Sequence, residues 1–236
     1  MPESWGRSLQ AVLERNEADL LDVVVDAISV LTEAKPGELF ADRLQGVVDD
    51  AALSPAVRLK AFVSLPPAER RIDDARLKFL CEQLHVDRSV NTRALAVDVL
   101  VTSPLADGQL VSVADAVAVT GPMELKRLLE PFAKSRDPEV GRRLVAALLQ
   151  SPVATSLTPD DVKQTLAAYG DEVSASAQPL IERIVQENRE KYDRLEAILE
   201  LVPSADVRRG HQIFRGSKAA CSTCHAMGYL GGRVGS

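Results

Sequence analysis

One stretch of this 236-residue chain has residue types and spacing that point to defined chemistry: Cys221-Ser222-Thr223-Cys224-His225. Two thiols at this separation can each add to one of the two vinyl groups of a haem, and a histidine directly after the second can reach the iron as proximal ligand. Cys221 and Cys224 are therefore the expected thioether anchors of a covalent haem c, and His225 its proximal iron ligand. With only three cysteines and three histidines in the chain, chance would produce such a run in about one chain in two thousand, so coincidence is a poor account of it.

Two other readings of the pentapeptide stand beside haem. Structural zinc closes with four ligands, commonly from two separated pairs, and the remaining donors are Cys81, His85 and His211. The third reading is a motif that stays unloaded. A thioredoxin-like C-x-x-C would need a βαβ setting, and no such pattern surrounds this one.

The neighbouring donors read as structural. Met227 lies too close to His225 to reach the opposite face of a haem, so it is expected to pack. His211 reads as a surface or edge histidine, and Cys81, among Phe79, Leu80 and Leu84, as a small buried apolar residue. His85 falls at the end of a helix, where a cation is favourable, and is given no ligand role. The acidic pairs Asp49/Asp50, Asp73/Asp74 and Asp160/Asp161 fall at helix ends and read as solvated. No nucleophile, acid–base pair or phosphate loop emerges, so the chain reads as an electron-carrier and scaffold segment rather than an enzyme.

The elements that must position the motif are helical. Hydrophobic residues make up 46% of the chain and aromatics only 4%, a balance that suits aliphatic helix packing better than a β-sandwich. A net charge of −6 with scattered basic residues argues against nucleic acid as a partner. No run of 18 apolar residues offers a transmembrane helix.

Apolar residues recur at helical spacing in Leu20 to Leu31 and again in Leu39 to Val48. Ser54-Pro55 supplies a cap and a first-turn proline for the next helix, which Leu65-Pro66-Pro67 ends. Further stripes run through Leu77, Leu80 and Leu84; Leu110, Val113 and Val117; Leu125, Leu128, Leu129 and Phe132; and Val162, Leu166 and Tyr169. A last helix, Ile181 to Leu201, carries Ile184, Val185, Tyr192, Leu195, Ile198 and Leu199, after which Ser204 reads as a fresh N-cap.

A frame repeats among these helices: a cap, a valine, a basic residue three later and an apolar residue four later. Its copies centre on Val57, Val90 and Val140, with a weaker one at Val173, at separations in or near the range of α-solenoid repeats. The valine and the residue four along should pack between layers, with the basic residue at the edge. The frame resembles the second helices of HEAT-like repeats, over about Gly37 to Leu201.

From Asp206 onward the chain resembles the opening of a class I cytochrome c, whose first helix carries a glycine and an aromatic four residues later, here Gly210 and Phe214. Together with the helices before it, the run Ala219 to Gly235 is similar to the PVC-type haem-binding CxxCH proteins. In that family a propeller with dehydrogenase-like features precedes HEAT-like repeats and a C-terminal cytochrome c. The resemblance implies an all-α chain: a HEAT-like α-solenoid of stacked helix pairs over residues 1–202, then the start of a cytochrome c domain over 203–236. It implies electron transfer through covalent haem c, with a redox partner protein or the parent's own dehydrogenase-like domain as partner, in the periplasm or an otherwise exported setting.

Two departures bear on that expectation. Where the family has a proline whose carbonyl accepts from the proximal histidine, Ser236 stands, and the family's distal methionine lies further downstream. Met1 to Arg7 lacks the charged and apolar regions of a secretory signal, so the chain is expected to be a piece of a longer exported protein. The rival expectation is a protein-binding α-solenoid whose cytochrome segment carries no haem.

Overall fold

A computed structural model describes residues 3–15, 18–31 and 36–232. These form fourteen α-helices and, among the described residues, no β-strand. In order they are α1 (Glu3–Arg15), α2 (Ala18–Leu31), α3 (Pro36–Asp49), α4 (Pro55–Ser64), α5 (Asp74–Gln83), α6 (Val90–Thr102) and α7 (Asp107–Val117). There follow α8 (Pro122–Leu128), α9 (Pro138–Gln150), α10 (Pro159–Leu166), α11 (Asp171–Ser176), α12 (Gln178–Leu201), α13 (Val207–Arg215) and α14 (Cys221–Cys224). The all-α expectation is met. No helix among the described residues is long and apolar enough to cross a membrane.

Local chemistry sets many of these boundaries. The Ser54 hydroxyl accepts from the Val57 N–H, the Asp137 carboxylate from Glu139, and Thr158 and Asp161 cap each other reciprocally, each followed by a proline at the first helical position. At the other ends, arginines satisfy carbonyls that a terminating helix leaves open. Arg58 donates to Val48, Arg70 to Val63 and Leu65, and Arg183 to Leu148, Leu149 and Ser151.

The chain divides into two compact units, residues 1–185 and 186–236. In the first, two sets of helices pack on the next but one, α2 on α4, α4 on α6 and α6 on α8, and α5 on α7, α7 on α9 and α9 on α11, while α1 and α3 pack chiefly on their neighbours α2 and α4. Phe62, Leu59, Leu80, Leu100, Leu125 and Phe132 in this unit are fully buried. The second unit holds the rest of α12 with α13 and α14, and none of its described residues is buried.

The repeated frame sits as expected in α4 and α9. Val57, Ala61, Val140 and Leu144 are buried, while Lys60 pairs with Asp22 and Asp26, and Arg143 with Asp115, at the edge. Val173 and Ala177 are buried as well. In α6 the frame is turned: Val90 is 46% exposed and Arg93 is buried. Here the cap is Ser89, whose hydroxyl accepts from Thr92 at 3.1 Å, so the helix starts two residues later than Asp87 and presents a different face.

Buried Arg93 lies 3.0 Å from the buried Glu124 carboxylate, and its guanidinium also donates to the carbonyls of Val86 and Arg88. Gly121 makes room, since a Cβ there would stand 2.7 Å from Glu124 Oε2. Arg76 likewise forks onto both oxygens of Asp49, at 2.8 and 2.7 Å, and holds a carboxylate at the C-terminal end of α3, where the helix dipole disfavours it. Asp49 is thus an ion-pair partner, not merely a solvated helix-end acid.

Candidate haem-attachment site

The site is built on one turn of helix. Asp206 caps α13, its carboxylate accepting from the N–H groups of Arg208 and Arg209; Ser204 instead donates its hydroxyl to Leu201, so the expected cap moves by two residues. Beyond α13, the Ala220 N–H donates to Gly216. Ala220 itself is left-handed, at φ 51°, an uncommon conformation for a residue with a Cβ. It turns the chain into α14.

Cys221 and Cys224 are the first and last residues of α14, so their side chains leave one side of a single turn. The His225 N–H closes that turn onto the Cys221 carbonyl at 3.0 Å, and His225 itself is extended, at φ −110° and ψ 135°. Both thiols are free; Cys221 is partly exposed, Cys224 and His225 exposed. The Cys221 thiol faces the Ala219 carbonyl at 3.7 Å.

After His225 the chain returns on itself. Met227 and Leu230 exchange backbone hydrogen bonds across a turn that holds Gly228 at φ 64°, and the Gly232 N–H donates to the Ser222 carbonyl at 2.8 Å. Gly231, at φ 108°, lies against the His225 carbonyl, and Gly232 against that of Thr223, so closely that a Cβ on either would overlap the oxygen. These two glycines hold the returning backbone on the pentapeptide. Sequence reasoning assigned them no role, although an adjacent glycine pair seven residues after Cys224 was the available signal.

The remaining expected residues fall as follows. Met227 is 48% exposed. His211 is partly exposed on α13, and Phe214 beside it is also only partly covered. A Cβ at Gly210 would meet nothing among the described residues. Cys81 is partly buried on α5, and burial, reinforced by Asp115 and Glu82, pushes its thiol up to about 11, which keeps it protonated and unreactive at neutral pH. His85 lies just past the end of α5, bridged to Thr120, with its Nδ1 accepting from the Asp87 N–H. Val234 to Ser236, and with them the position of the missing proline, lie outside the described residues.

Among the described residues no group of three or more His, Cys, Asp or Glu side chains is placed to hold a metal ion. The site presents two free thiols one turn apart and an exposed imidazole directly beyond them. No family model, curated protein or solved structure matches this chain.

Proposed function

We propose that this chain serves electron transfer, with Cys221 and Cys224 as thioether anchors for haem c and His225 as proximal ligand. The observation that carries the reading is the pairing of two free thiols on one helical turn with an extended, exposed histidine immediately after it. A bound haem c would supply a one-electron iron couple. The chain's own part is to fix the two anchor points through α14, to orient the backbone that presents His225, and to keep it pinned through Gly231 and Gly232.

The helices before the site read as a HEAT-like scaffold, and the next-but-one packing of α2, α4, α6 and α8 supports that reading. The resemblance to PVC-type CxxCH proteins supports a periplasmic or otherwise exported setting, with electrons arriving from a dehydrogenase-like domain or passing to a redox partner protein.

The test is to send the chain, behind an added export signal, through a host with c-type maturation machinery and to stain a denaturing gel for haem. A stained band, lost in Cys221→Ser/Cys224→Ser, is the expected outcome. An unstained band would overturn the proposal in favour of a haem-free, partner-binding helical scaffold.

A further inference from the structure

From Asn188 to Leu201 every residue of α12 is exposed. Even so, Tyr192, Leu195, Ile198 and Leu199 fall at three- and four-residue spacing on one face, each 50 to 64% exposed, and Val202 continues the stripe past the helix end. A helix of this length without a tertiary partner is marginal in water. An apolar stripe flanked by charges marks a surface that another element covers.

We propose that this face pairs with its own counterpart on a second copy of the chain, as a parallel, in-register two-helix coiled coil. The heptad pattern assigns Tyr192 and Leu199 to a, and Asn188, Leu195 and Val202 to d. It assigns Lys191 to g and Glu196 to the following e, the two positions that meet between parallel helices, so the pairing forms two Lys191–Glu196 contacts related by the two-fold axis. Within its own helix Lys191 reaches Glu187 only at 3.9 Å, which leaves it available.

Asn188 decides the direction. In the parallel register it faces Asn188 of the second copy, and the two amides can bond to each other. Run antiparallel, it would be buried against Leu199. The covered surface is small, on the order of 1,000 Å² in total, which places the pair at the weak end of specific interfaces. Self-association is therefore expected to be weak.

Sedimentation of the whole chain from micromolar to hundreds of micromolar concentration tests this. A concentration-dependent dimer is expected, and Leu195→Asp weakens it by at least roughly a hundredfold. Lys191→Glu weakens it several-fold, and adding Glu196→Lys restores it. These side chains are exposed, so the helical circular dichroism of each variant stays that of the parent at monomeric concentration. A chain that stays monomeric throughout, or a dimer indifferent to Leu195→Asp, would overturn the proposal. So would a dimer sensitive to Arg189→Glu but not to Lys191→Glu, since that pattern belongs to antiparallel helices.

Discussion

The two units of this chain hold their helices by different means. In residues 1–185 the helices are specified by what they bury: Phe62, Phe132, Leu59 and Leu100 are closed from solvent, and Arg93 and Arg76 are held in ion pairs within the packing. In residues 186–236 no described residue is buried, and the order rests on an N-cap, a closed turn and glycines in conformations other residues resist. Burial is cooperative and local bonding is not, so the first unit should unfold as a whole while the second frays piece by piece.

The sharpest way to break this contrast is to truncate an apolar side chain in each unit. Phe132→Ala deletes a fully buried ring while keeping the backbone carbonyl that accepts from the Tyr169 hydroxyl, and should cost about 3–5 kcal/mol in urea unfolding. Val207→Ala, on α13 and 83% exposed, should stay within roughly 0.5 kcal/mol. Comparable losses from both would mean that the second unit is packed after all.

The buried pair gives the next test. Glu124→Ala strands the Arg93 guanidinium away from water and should cost about 3–5 kcal/mol, whereas Arg93→Met with Glu124→Leu should recover much of that loss. Recovery would show that the penalty lies in the unpaired charge. A double variant as unstable as the single one would show that losing the bonds from Arg93 to the Val86 and Arg88 carbonyls costs as much as stranding the charge.

The same contrast explains what could be read from the chain. A cap followed by proline, Ser54-Pro55, marked the start of α4 because that chemistry is local. The face of α6 was misread because Ser89, not Asp87, caps it, and two residues of offset turn Arg93 inward and Val90 out. In α12 the periodicity of Tyr192, Leu195 and Leu199 correctly located an apolar face, but periodicity does not say whether anything covers it. At the site, the spacing of Cys221, Cys224 and His225 was legible; the approach of Gly231 and Gly232 to His225 and Thr223 was not, since it depends on the path of a returning loop.

A smaller effect should appear in acid. Partial burial opposes ionisation of Asp161, but Lys126 at 2.9 Å and the bonds exchanged with Thr158 outweigh it and hold the carboxyl below its usual range. Its folded pKa is depressed, so its contribution is complete above the unfolded value of about 3.9 and is lost as pH falls through the folded one. Asp161→Asn should therefore lower stability at neutral pH and flatten the fall in stability below about pH 4 in urea titrations. An unchanged acid limb would remove Asp161 from the account.

The smallest global effect, and the most discriminating, compares two caps of similar chemistry. Thr158→Ala removes the hydroxyl that accepts from Asp161 at the start of α10, whose Val162 and Leu166 are buried, and should move the global unfolding midpoint by about 1 kcal/mol. Asp206→Ala removes both bonds to the first turn of α13, a helix of nine residues with none buried. Such a helix has only local interactions to hold it, so losing the cap should lower its population without touching the cooperative transition. Amide exchange across 207–215 should quicken while the midpoint stays within roughly 0.5 kcal/mol of the parent. If Asp206→Ala shifted the midpoint as much as Thr158→Ala, α13 would have to share the cooperative packing of the first unit, and the division between burial-held and locally held helices would fail.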